Sequence, residues 1–266
     1  MLFRRFRERI KSPRQFDVRG EQGGISTVVT LPKGFDKEHG KCHMAVLMHG
    51  FMSNKKANPL SSISEALSDE GIASIRFDFN AHGKSEGDFV KMTISNEISD
   101  ALAVVDYVLS LPYVSSISFI GHSQGGVVAG MLAGMLENDA ARRPTCLVQL
   151  APAAVLKDDA IAGRCMMSRY DASNPPEYVN VMMHKLGRQF ILEAQKLPVY
   201  ETSKNYTGPV CLIHGRKDRI VPVSYSEKYN DAYADSSLTI LEDEGHLLNN
   251  HLDDVVRLVV NYIKQH

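Results

Sequence analysis

Residues 120–126, Ile-Gly-His-Ser-Gln-Gly-Gly, constrain the fold of this chain more than any other stretch. They read Gly-x-Ser-x-Gly directly after an apolar run at 117–120 and directly before a small-residue helical run at 127–136. That order is strand, sharp turn, helix, the context of a nucleophile elbow. In such a turn the serine backbone is strained, and glycines on either side leave space where a Cβ would strike strand or helix. Ser123 is therefore the candidate nucleophile. A helix beginning near Gln124 aims its free N–H groups and positive dipole end at the site. Alone the pentapeptide is a weak signal, because ordinary turns contain it. An acid, a histidine and an oxyanion loop in the right order make it specific.

The rest of the chain supplies the matching rhythm. Residues 15–20 and 25–31 predict a hairpin around the glycine-containing turn 21–24. The run 44–48 is short and continuously apolar, as in a parallel strand buried on both faces. Helical spacing follows at 59–70 through Leu60, Ile63 and Leu67, then a strand at 72–79 and a glycine-rich turn at 80–88. A helix at 94–111 carries Ile98, Leu102, Val105 and Leu109 on one stripe. After the elbow come strands at 145–151, 209–213 and 238–241, with helices at 224–234 and 253–264. Alternation of this kind predicts an α/β fold, a mostly parallel central sheet with helices on both faces. Residues 1–152 and 208–266 form its core.

Residues 153–207 break the rhythm. They are rich in methionine and tyrosine, contain Pro175-Pro176, and separate two core strands. A plain α/β connection takes about 2–6 residues, so this segment is expected to be an inserted lid or cap.

A serine hydroxyl is a poor nucleophile at neutral pH and needs a base, which in turn needs an acid to orient it. In the elbow fold the chain order is serine, acid, histidine. Asp218 stands in the turn after the strand at 209–213, and His246 follows the next strand. Either alone reads as a solvated turn residue; together, in order behind Ser123, they read as a triad. Asp78 precedes the nucleophile and is expected to bond its own turn. His122 is expected to point away from the elbow's chemistry, His251 to cap the last helix, and Glu242, Asp243 and Glu244 to form a solvated loop. Attack on an ester creates an oxyanion that needs backbone donors held in advance. Gln124 N–H supplies one, and Phe51 N–H, in the loop after the strand at 44–48, the other.

Competing motifs are weak. Gly83-Lys84-Ser85 imitates the end of a P-loop but lacks the earlier glycine, where Asp78 stands. Neither His-Glu-x-x-His nor Gly-x-Gly-x-x-Gly occurs, so neither a metal nor a dinucleotide is expected as cofactor. Gly126, Gly130 and Gly134 have the spacing of membrane-helix contacts, but here are expected to let the helix approach the sheet.

With 30 basic and 31 acidic residues, nothing favours nucleic acid or an acidic surface as partner, and a small ester is the expected ligand. A homodimer is left open. Cys42, Cys146, Cys165 and Cys211 show no Cys-x-x-Cys spacing and read as free thiols, two of them within apolar runs. The basic segment 1–11 lacks a signal peptide's apolar core, so residence in the cytoplasm is expected. Its Leu2, Phe3, Phe6 and Ile10 are expected to pack on the domain rather than lie on a membrane. No run reaches the roughly 18 apolar residues of a membrane-spanning helix.

From about residue 44 to the C-terminus the chain resembles the α/β hydrolases, and among them the bacterial cinnamoyl or feruloyl esterases. The marks are His49-Gly50-Phe51, the stretch 76–83 (Arg-Phe-Asp-Phe-Asn-Ala-His-Gly), Gly121-His122-Ser123-Gln124-Gly125-Gly126-Val127-Val128, and Leu150-Ala151-Pro152-Ala153-Ala154. The resemblance implies a serine carboxylesterase whose lid holds the ring of a hydroxycinnamate, with Asp159 bonding the ring hydroxyl. Met166 and Phe190 stand where the family pattern implies a polar contact and a tyrosine. A general short-chain acyl or monoacylglycerol esterase is the alternative, the methionine-rich lid then accommodating an aliphatic chain.

Overall fold

A short strand with apolar residues at every position must bury both of its faces, and β3 (Cys42–Met48) does so. Met44, Val46 and Met48 enter one hydrophobic core, Ala45 and Leu47 the other. The computed structural model describes residues 14–20 and 22–266; the basic segment 1–11 lies outside them.

The chain opens with the expected hairpin, β1 (Arg14–Gly20) and β2 (Gly23–Thr30). After β3 come α1 (Leu60–Asp69), β4 (Ala73–Phe77), α2 (Ile94–Ser110), β5 (Val114–His122), α3 (Gln124–Met135) and β6 (Leu147–Leu150). The inserted segment carries α4 (Val155–Ile161), β7 (Arg164–Cys165), β8 (Ser168–Arg169), β9 (Tyr178–Val181), β10 (His184–Gly187), α5 (Arg188–Ala194) and α6 (Val199–Ser203). The sheet then resumes with β11 (Val210–Gly215), α7 (Ser224–Ala232), β12 (Ser236–Leu241) and α8 (Leu252–Gln265). Eight strands form the central sheet in the order β1-β2-β4-β3-β5-β6-β11-β12. From β4 to β12 every neighbouring pair is parallel, and the hairpin joins antiparallel at one edge. Parallel strands put all their carboxyl ends at one edge of the sheet, so the turns leaving β3, β5, β11 and β12 meet there.

Helices cover both faces. The core lined by Met44, Val46 and Met48 is closed by α2 and α3, the other by α1 and α8. On α2 the buried face runs through Ile98, Ala101, Val104, Val105 and Val108, while Leu102 and Leu109 lie at its margin. The buried stripe is thus turned slightly from the expected one, because alanine and valine fit closer to the sheet.

Helix α3 starts directly at Gln124 and is buried from there to Gly134. A Cβ on Gly130 would come 2.6 Å from Gln149 Nε2 of β6, which is the expected close approach to the sheet. Gly134 serves another purpose: a Cβ there would stand 2.0 Å from Thr202 O of α6. The last part of the inserted segment therefore packs against the core. Tyr206 completes it, fully buried with its hydroxyl donating to Pro144 O at 3.0 Å.

Candidate active site

The strand-to-helix turn between β5 and α3 leaves Ser123 with φ +57° and ψ −123°, a conformation side-chain-bearing residues avoid. Its neighbours permit it. A Cβ on Gly121 would lie 2.2 Å from Gly125 O, and one on Gly125 2.3 Å from Met48 O. Gly50 makes a third close approach, since a Cβ there would meet Ser123 Cβ at 2.8 Å. The glycine after His49 brings the β3 loop against the serine, a role the motif alone did not reveal.

The structure brings the three expected residues together. His246, on the loop after β12, places Nε2 2.8 Å from Ser123 Oγ and Nδ1 2.7 Å from Asp218 Oδ2. Asp218, in the turn after β11, accepts backbone N–H bonds from Ile220 and Val221 on Oδ1, each at 2.8 Å. His214 Nε2 lies 3.2 Å from its other oxygen, donating to Val221 O at 2.9 Å, while Nδ1 takes the Ser226 hydroxyl proton at 2.6 Å. Burial alone would raise the Asp218 carboxyl, but the bonds from His214 and His246 outweigh it and hold the group well below the usual carboxylate range. Asp218 is thus ionised at neutral pH.

Three further histidines organise the surroundings. His49 accepts the Phe79 N–H on Nε2 at 3.1 Å, so its proton sits on Nδ1 and goes to Gly50 O at 2.8 Å. Gly50 O and Phe51 N–H share one planar trans peptide, so holding the carbonyl on one side turns the N–H to the other. His82 accepts the Met52 N–H at 3.2 Å and steadies the same loop. Burial pushes His49 down to about 3, keeping it neutral. His122 does not point away from the chemistry: its Nε2 donates to His246 O at 2.8 Å and its ring lies 5.2 Å from that of His246. Burial holds it at about 4. On α3, Gly126 and Val127 N–H donate to Ser123 O, and Gln124 N–H has no acceptor among the described residues. The Gln124 side chain is anchored behind the elbow, Nε2 donating to Glu97 Oε2 at 2.8 Å.

Other sequence expectations divide. Asp78 serves its own turn, as expected. It takes Lys55 N–H and Lys84 N–H at 2.7 and 2.8 Å and pairs with the buried Lys55 ammonium, so Gly83-Lys84-Ser85 belongs to this turn. Glu242 and Asp243 are exposed in ion pairs with Arg216 and Lys217. Glu244 is buried, its carbonyl accepting Lys217 N–H and its carboxylate His251 N–H. His251 begins α8, but its side chain makes no cap bond. Glu244 instead ties the residue that begins the helix to the preceding loop, which short-range patterning could not show.

Ser123 opens on a cavity of about 550 Å³ roofed by the inserted segment. Phe51, Gln124, Asp159, Met166 and Phe190 all line it. The Phe51 and Phe190 rings lie 6.1 Å apart, and Asp159 accepts from Arg164 Nε at 2.6 Å.

A mostly parallel sheet of eight strands, with a serine elbow and a histidine–aspartate pair at its strand ends, defines the chain as an α/β hydrolase. Known proteins agree. Est1E from Butyrivibrio proteoclasticus, solved with ferulic acid bound, superposes with a TM-score of 0.88 at 27% identity over 94% of this chain and 98% of that one. Palmitoyl-protein thioesterase ABHD10 of Mus musculus, described as mitochondrial, is 24% identical over 82% of this chain and 76% of its own length. The mouse alpha/beta hydrolase domain-containing protein 10 structure has a TM-score of 0.74 at 19% identity, covering 95% of this chain and 99% of its own. Residues 38–156 match the family described as "Putative serine esterase (DUF676)". The chain is a hydrolase of the serine-esterase type that resembles the feruloyl esterases.

Proposed function

We propose that the chain cleaves carboxylic esters through an acyl-enzyme on Ser123. His246 Nε2 takes the Ser123 proton as Oγ attacks the ester carbonyl, and returns it to the leaving alcohol; a water then releases the acid by the same steps. Asp218 holds the imidazole in the required tautomer and stabilises its charged form. The Phe51 and Gln124 amides receive the oxyanion. The observation that carries this reading is the unbroken line from Ser123 Oγ through His246 to Asp218, open to a cavity beside the serine.

Hydroxycinnamate esters are the proposed substrates. The Est1E likeness supports them, as do Phe51 and Phe190 as an aromatic wall for the ring and Asp159 as acceptor for the phenol. Met166 lies over the ring's edge in this reading. A second reading takes acyl thioesters or aliphatic esters, favoured by the thioesterase relatives and the methionines at the cavity mouth. The free thiols favour the cytoplasm as the site of action, and the mitochondrial relatives mark the alternative compartment. Comparing kcat/KM on methyl ferulate, p-nitrophenyl butyrate and a palmitoyl thioester separates the substrates; a large preference for either aliphatic probe defeats the hydroxycinnamate reading. Ser123→Ala retaining wild-type activity on all three would defeat the mechanism itself.

A further inference from the structure

Two short hairpins of the inserted segment turn through the same pair of residues. β7 and β8 join through Met166-Met167, and β9 and β10 through Met182-Met183. In both, the first methionine has φ +52°, at a position where two-residue loops favour glycine. Met167 is 99% exposed and Met183 94%. A strained turn that holds apolar side chains in water adds nothing to the stability of the chain alone.

The rungs that close the two turns are fixed, while the Met167 and Met183 side chains stand in solvent. His184 stacks on Phe89 at 4.5 Å, and Ser168 Oγ donates to Asn180 O, holding the two hairpins side by side. One rung behind these closing pairs, Arg164 faces Arg169 and Lys185 faces Asn180. Arg164 is met by Asp159, whereas Arg169 and Lys185 have no carboxylate partner among the described residues, Lys185 Nζ lying 4.2 Å from the centre of the exposed Tyr178 ring. The acids Asp171 and Glu177 lie at the strand ends away from the tips. Apolar tips backed by cations suit an interface of hydrocarbon beneath negative headgroups.

We propose that the paired methionine tips are a docking surface for anionic lipid, the methionines entering the headgroup layer while Arg169 and Lys185 meet the phosphates. A second copy fits less well, because a two-fold contact would set these cations against their own equivalents. Met166 and Met167 also line the cavity, so the docked face opens on Ser123.

Flotation of the full chain with vesicles tests this independently of any esterase activity. Binding is expected to vesicles of phosphatidylcholine mixed with phosphatidylglycerol, weaker with phosphatidylcholine alone, and reduced by salt. Met182→Gly with Met183→Asn places a favoured turn pair at one tip. It should weaken binding about tenfold while leaving the unfolding temperature unchanged or raised. Failure of the wild-type chain to float with either vesicle overturns the proposal, as does equal binding by the folded variant. A dimer in light scattering that this variant dissolves, without vesicle binding, assigns the tips to a second copy and overturns it too.

Discussion

Replacing Glu97 by glutamine should make the protein more stable at alkaline pH and remove one component of its pH dependence. Glu97 lies within α2, fully buried, and accepts the Gln124 side-chain amide at 2.8 Å. Burial pushes its carboxyl up to about 8; the Gln124 bond opposes this and the nearby Asp100 and Glu193 carboxylates add to it. In the unfolded chain the group titrates near its ordinary 4.5. Between about 4.5 and about 8 the native state holds a proton that the unfolded state has lost, so stability falls as pH rises through that window. The window spans about 3.5 units at about 1.4 kcal/mol each, or roughly 5 kcal/mol at most. Glutamine keeps an oxygen for Gln124 and cannot ionise. Buried histidines act in the opposite sense: His43 and His122, held at about 4, and His49, at about 3, cost stability as pH falls below 6.5. Because they are common to both proteins, the difference between variant and wild type isolates Glu97. Urea unfolding at pH 5 and pH 8 measures it. The variant should gain a few kcal/mol relative to wild type between the two, and an identical pH response in both refutes the assignment.

Three further outcomes follow from the geometry. Asp218→Asn should lower kcat on a p-nitrophenyl ester by about 10⁴-fold, the size of effect known when a triad aspartate is so replaced; a loss under tenfold removes Asp218 from the mechanism. Lys55→Met strands the Asp78 carboxylate among buried residues, at a cost of about 3–5 kcal/mol. Calorimetry should show the unfolding temperature lower by roughly 6–20 °C. Gly125→Ala forces a methyl to 2.3 Å from the Met48 carbonyl at the end of a central strand, and expression should give little folded protein by circular dichroism.

The strand and helix alternation was legible because buried parallel strands such as Cys42–Met48 are apolar throughout, and the amphipathic helices keep a clear period. Ser123, Asp218 and His246 were legible because each stands at a strand end in the order the elbow fold demands. Their supports were not. His214 on Asp218, His122 on the His246 carbonyl and His49 on the Gly50 carbonyl are single polar residues without a motif, and the His122 bond spans a distance in sequence that no local pattern marks. Glu97 is one polar position of a helix in the sequence, and its partner Gln124 stands on the next helix. Glu244 shows the same limit in reverse, since an acidic run can contain one member whose backbone faces inward.

The inserted segment leaves β6 and returns to β11, and these two strands are hydrogen-bonded neighbours. Because the two strands run parallel, the segment leaves at the carboxyl edge of the sheet and returns at the amino edge, so its anchor points are fixed by the sheet one strand length apart, whatever lies between them. Exchange of the roof between related hydrolases is then a transplant with a fixed socket: a donor segment of different length or chemistry changes what enters the cavity and costs little in chain closure. The suture on the downstream side belongs before Val199, because α6 and Tyr206 are seated against α3 and Pro144 and must stay with the host.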